Sequence, residues 1–134
     1  MILDIWDGLF LAAAALALLG VIAHEVAGAP KVLGPLKTSG LAPEVVWLHH
    51  FSWHDGSVSV LAMIGLFLLA VRQEDGVYFA IIGSAMSAGF AALGIGLAML
   101  GNRALWRTHA PYAWTLVALL GGLGIWLQAS SAAS

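Results

Sequence analysis

Five histidines are the side chains of this chain best suited to chemistry, and all of them lie near one end of its apolar segments. Three fall within residues 47–56, where an aspartate follows the last of them. The set consists of His24, His49, His50, His54 and His109, with Asp55 beside His54. Ionisable groups are costly at membrane depth and mark candidate functional sites by default. The histidines therefore indicate a site at one end of the protein.

The spacing of these histidines suits a metal ion. His50 and His54 are four residues apart, so they share one face of a helix, and imidazoles with that spacing can bind one ion. His24 and Glu25 end the first apolar segment and can approach them if the chain folds back. We predict a site for a divalent metal (zinc, iron or manganese) built from His24, Glu25, His50, His54 and Asp55.

Three other readings of the same pocket stay open. A b-type haem would take His24 and His54 as axial ligands. A quinone or lipid headgroup would contact Trp53, His54 and Asp55. The cofactor-binding residues would then be His24, His54 and Trp53, in a membrane enzyme or an electron carrier. In the third reading the polar residues only stabilise a structural subunit of a larger membrane complex.

The composition places these residues in a membrane protein. The chain has 134 residues, of which 61% are hydrophobic and 9% charged, whereas soluble proteins carry about 25% charged residues. It has no cysteine, which excludes disulfides and thiolate metal sites. No basic stretch predicts nucleic-acid binding.

Four apolar segments predict an all-α, polytopic bundle of four transmembrane helices in a single domain, 1–134. The predicted spans are 8–27, 52–71, 77–100 and 111–128. The second helix is expected to begin before its span, near Pro43 or Glu44, because proline suits a first helical turn. The connection before it, rich in proline and glycine, predicts an ordered turn or a short interfacial piece.

The cationic residues predict the orientation in the membrane. Arg72 lies on one side, and the other four cations lie on the histidine side: Lys31, Lys37, Arg103 and Arg107. The positive-inside rule then places both termini outside and the histidine end in the cytoplasm.

Small residues recur at every fourth position of the third span, and this line predicts close helix packing. Its members are Ala80, Ser84, Ala88, Ala92 and Gly96. The expected neighbour is another helix of the bundle. A homodimer or a larger membrane complex joined through the third helix is the alternative.

Three short motifs in the first half of the chain resemble those of a group of small, uncharacterised bacterial membrane proteins. They are His24-x-x-x-Gly28, the Pro35-Leu36 loop and Trp53-His54-x-x-Ser57. The resemblance implies a multi-pass protein of the bacterial cytoplasmic membrane and pairs His24 with His54. It implies no activity. We therefore expect a metal-binding or accessory membrane protein with a histidine and carboxylate pocket near the cytoplasmic side.

Overall fold

A computed structural model of the chain describes residues 4–101 and 103–132, and these residues form an all-α four-helix bundle. The helices are α1 (Ile5–Ala23), α2 (Ala29–Val32), α3 (Pro43–Arg72), α4 (Val77–Leu100) and α5 (Ala110–Ala132). Between them lie a π-helical turn, His24–Gly28, and two short 3₁₀ helices, Pro35–Thr38 and Arg103–Arg107. Within the described residues, four segments are long and apolar enough to cross a membrane, and the first is the run Ile5–Thr38.

The helices extend beyond most of the predicted spans. Helix α4 has the bounds predicted for the third span, 77–100. Helix α3 begins at Pro43, as its first-turn proline predicts. Helical structure does not stop at residue 27, because the chain stays helical through the π turn into α2. Pro30 is the second residue of α2, directly after the π turn, and does not interrupt this helical path.

The four long helices form a closed ring in which each runs antiparallel to its neighbours. Each helix packs on the next along the chain, and α5 packs on α1. Phe10, near the start of α1, stacks on Phe67, near the end of α3, with ring centroids 6.4 Å apart. This arrangement brings the end of α1 against the N-terminal half of α3, where most of the predicted site residues lie.

Glycines of α5 let the two phenylalanines fill the centre of the bundle. A Cβ atom at Gly124 would lie 2.5 Å from Cε1 of Phe10, and one at Gly121 would lie 3.0 Å from Cε1 of Phe67. Both rings are fully buried, together with Met63. The core is therefore apolar and closely packed, and its packing depends on α5 having glycine at these two positions.

The small residues of α4 face the bundle along a different line from the one predicted. Ala80 is buried, as expected, but Ala88 and Ala92 are exposed. The residues that α4 buries are Ala80, Gly83, Ser87, Ala91 and Ala98. A strict step of four residues drifts by about 40° at each step around a helix of 3.6 residues per turn, whereas mixed steps of three and four stay on one face. A homodimer or larger complex that forms through α4 stays a prediction, and it would use the residues of α4 that face away from the bundle.

The glycine packing predicts a strong contrast between two neighbouring positions of α5. Gly124→Ala should lower the free energy of unfolding by about 1–3 kcal/mol, because the new methyl group overlaps the ring of Phe10. Gly122→Ala is the matched control, since a Cβ there meets nothing within 4 Å. Thermal unfolding in detergent measures both. Equal loss of stability in the two variants would contradict this account of the core.

Candidate functional site

The site begins where α1 leaves regular α-helical geometry. In the turn His24–Gly28 the backbone N–H of Ala29 donates to the carbonyl of His24, five residues back. Single π-helical turns are rare in proteins, and those that occur are often found at functional sites. The wider turn offsets the register by one residue, so it resets the direction in which the side chains on either side of it point.

His24 faces Trp53 of α3. Their rings are stacked, with centroids 3.7 Å apart and planes inclined by 10°, and Nε2 of His24 lies 3.3 Å from the carbonyl oxygen of Trp53. Gly28 makes room for the indole, since a Cβ there would lie 3.0 Å from Cζ2 of Trp53. The His24-x-x-x-Gly28 spacing therefore serves one aromatic contact between the two helices.

Glu25 contacts two side chains of α3 through one carboxylate oxygen. The hydroxyl of Ser57 donates to Oε1 of Glu25, and Nδ1 of His54 lies 3.2 Å from the same oxygen. Ser57 is buried, the side chain of Glu25 is one-third exposed, and that of His54 is 55% exposed. The carboxylate is thus held at the inner edge of the site and the imidazole at its outer edge.

The contact with Glu25 favours one tautomer of His54. An ionised carboxylate only accepts hydrogen bonds, which favours the neutral ring with its hydrogen on Nδ1 and its lone pair on Nε2. Ser57 donates to Glu25 rather than to His54, and the trio therefore lacks the nucleophile–base contact of a hydrolytic triad. The arrangement presents an oriented imidazole nitrogen that can bind a metal ion or a proton.

The other predicted site residues are placed around this contact. His50 lies one turn before His54, with ring centroids 6.4 Å apart, and its ring also faces Trp47 at 5.4 Å. Asp55 is exposed and makes no hydrogen bond or ion pair to any residue that the structure describes.

Two further histidines lie outside the contact. His49 is exposed, and its Nδ1 lies 2.8 Å from the carbonyl oxygen of Val45 on the same helix. His109 is exposed at the start of α5, and no hydrogen bond or ring contact links it to another histidine within residues 4–101 and 103–132. The bundle therefore does not gather all five histidines at one point.

The predicted metal-binding set does not form one compact cluster. Within the described ranges no group of three or more histidine, aspartate and glutamate side chains is close enough to hold an ion. Glu25 and His54 meet directly, and His50 lies beside His54. His24 is turned toward Trp53, so a haem held between His24 and His54 would require both of their present contacts to break.

Two residues of the site were not predicted as functional from the sequence. Ser57 was noticed only as the last residue of the Trp53-His54-x-x-Ser57 motif, yet its hydroxyl donates to Glu25 of another helical segment. It lies three residues after His54, which places both on one face of α3. Gly28 was noticed only as part of a motif. In addition, Nε1 of Trp53 is buried and has no hydrogen-bond partner among the described residues.

Comparison with known proteins adds no relative. No protein-family model, curated protein or solved structure matches the chain.

The contact between α1 and α3 predicts a cost for removing one hydroxyl. Ser57→Ala should lower the free energy of unfolding by about 1–3 kcal/mol, because Glu25 loses a donor in a partly buried site. Ser59→Ala is the control, since this serine lies on the same helix and makes no side-chain hydrogen bond within the part of the chain that the structure describes. In Glu25→Gln the cost of Ser57→Ala should shrink. An unchanged cost in that background would contradict the contact.

Proposed function

We propose that the protein is an integral membrane protein that binds a divalent metal ion at the end of the bundle where α1 meets α3. In this proposal His50 and His54 are the protein ligands, and Glu25 orients His54. The observation that carries it is the contact between Nδ1 of His54 and Oε1 of Glu25, because it leaves Nε2 of His54 directed away from the carboxylate.

A carboxylate behind a histidine is the usual support of a metal-binding imidazole. Ligating histidines almost always donate their second ring N–H to a carboxylate, a carbonyl or water, which fixes the tautomer and raises ligand basicity. Glu25 has this relation to His54, and the hydroxyl of Ser57 in turn holds Glu25 in place. A rigid support of this kind reduces the reorganisation that ion binding requires.

His50 is the second ligand because of its place on α3. It lies one turn before His54, with ring centroids 6.4 Å apart and planes inclined by 34°. Side-chain rotation can bring one nitrogen of each ring to a shared ion, as the four-residue spacing allows. Two histidines leave coordination positions for water or a further ligand, and zinc, iron and manganese all accept such a set.

The location in the cell is part of the proposal. The cations Lys31, Lys37, Arg103 and Arg107 share the end of the bundle that carries the site, and Arg72 lies at the other end. This bias supports a cytoplasmic position for the site and an outside position for both termini, in a bacterial cytoplasmic membrane.

Zinc binding to the detergent-purified, chelator-stripped protein tests the proposal. The wild-type chain should bind about one ion, and both His50→Ala and His54→Ala should abolish binding, because each removes one of two protein ligands. Glu25→Gln should weaken binding by roughly 10- to 100-fold, the usual effect of losing an orienting carboxylate. Equilibrium dialysis followed by elemental analysis measures the stoichiometry and the affinity.

His49→Ala is the matched control, because His49 neighbours His50 but bonds the carbonyl of Val45. It should bind zinc as the wild type does. Equal losses in His49→Ala and His54→Ala would refute a defined site. A wild-type chain without stoichiometric zinc, combined with a lower Tm in His54→Ala, would assign the polar residues a structural role instead.

A further inference from the structure

A groove opens beside the site, between the helical pieces that follow α1 and the N-terminal half of α3. It measures about 390 Å³, within the range of roughly 300–1,000 Å³ typical of small-molecule sites. One wall is aliphatic, and the other adds polar side chains. The lining residues are Val32, Leu33, Leu36, Leu48, His49, Ser52 and Trp53. The groove shares Trp53 with the contact of His24, whereas neither Glu25 nor His54 lines it.

The chemistry of the groove matches a phospholipid better than a soluble ligand. Val32 and Leu48 are about half or more exposed, whereas Leu33 is buried at the base. In a protein whose long helices cross a membrane, the molecules that meet such a surface are acyl chains. Two cations, Lys31 and Lys37, adjoin the aliphatic lining residues in the sequence, and the first turn of α3 carries one carboxylate, Glu44.

We propose that this groove binds one acyl chain of an anionic phospholipid, whose phosphate lies between Lys31 and Lys37. Basic pockets between membrane helices bind anionic headgroups, and each lysine near the surface contributes favourable attraction to them. Both lysines are exposed and lie in adjoining helical pieces, α2 and Pro35–Thr38, that form the aliphatic wall. The aliphatic wall and the charged rim together favour phosphatidylglycerol over a zwitterionic lipid.

Native mass spectrometry of the full chain, released from nanodiscs of phosphatidylglycerol and phosphatidylethanolamine, tests this inference. The wild type should retain one phosphatidylglycerol. The double variant Lys31→Gln/Lys37→Gln should lose the preference for it by about tenfold or more, because both charges that attract the phosphate are gone. Leu36→Trp should reduce retention of both lipids, because the larger ring fills the groove.

The double variant Arg103→Gln/Arg107→Gln is the matched control. It removes the same charge from the same end of the bundle, away from the groove, and should retain the lipid as the wild type does. Equal loss in the lysine and arginine variants would overturn the inference, because general attraction would then explain retention. Unchanged retention in the lysine variant would overturn it too. A wild-type dimer that Leu36→Trp converts to a monomer would assign the groove to a second copy of the chain.

Discussion

A carboxylate at the end of an apolar helix must find hydrogen-bond donors, and Glu25 finds them on α3. Hydrogen bonds to a charged group contribute about 1.5–3 kcal/mol each, more than those between neutral groups. Oε1 of Glu25 meets both Ser57 and His54, which lie on one face of α3. This requirement links the first and second membrane crossings at a defined register. The π-helical turn contains Glu25, and the contacts of His24 and His54 lie next to this carboxylate.

The packing of the bundle holds the two sides of that contact together from a distance. Phe10 and Phe67 stack at the opposite end of the same pair of helices, and Gly124 lets Phe10 enter the core. Near the site, Gly28 has the same role for Trp53. Helices in a membrane gain little from hydrophobic association, so close contact between small residues and rings has to supply much of the attraction. The first and second long helical segments are thus joined by aromatic packing at one end, and by polar contacts together with the stacking of His24 on Trp53 at the other.

Hydropathy was sufficient to predict the fold class but not the rotation of the helices. Apolar length predicted four crossings, and Pro43 predicted the start of α3. The face that α4 buries was predicted wrongly at Ala88 and Ala92, because composition cannot fix rotation when a helix is apolar all around. The residue types of the π turn did not predict its geometry. The spacing from His24 to Gly28 was noticed, but it does not indicate a π-helical turn.

Some residues of the contact around Glu25 were selected from the sequence, but the pairings between them were not predicted. Glu25, His24 and His54 were selected because ionisable side chains are rare in such a chain, and the structure brings Glu25 and His54 together. Asp55 was selected on the same ground, but of the two only His54 contacts Glu25, because on a helix the residue after His54 points about 100° away. Ser57 was not assigned to the site, since a serine in a helix usually bonds its own backbone. Pairings between helices depend on rotations and registers that a single sequence does not reveal.

The contact between Glu25 and His54 can be measured directly in a bilayer. Solid-state NMR of the reconstituted full chain, labelled with ¹³C at the Glu25 carboxyl and ¹⁵N in the His54 ring, reports the dipolar coupling between the two groups. We expect a strong coupling to Nδ1 and a weaker one to Nε2, with Nδ1 protonated. A coupling too weak for direct contact, or a stronger coupling to Nε2, would contradict the account, because His54 would then lack the orientation on which the proposed site depends.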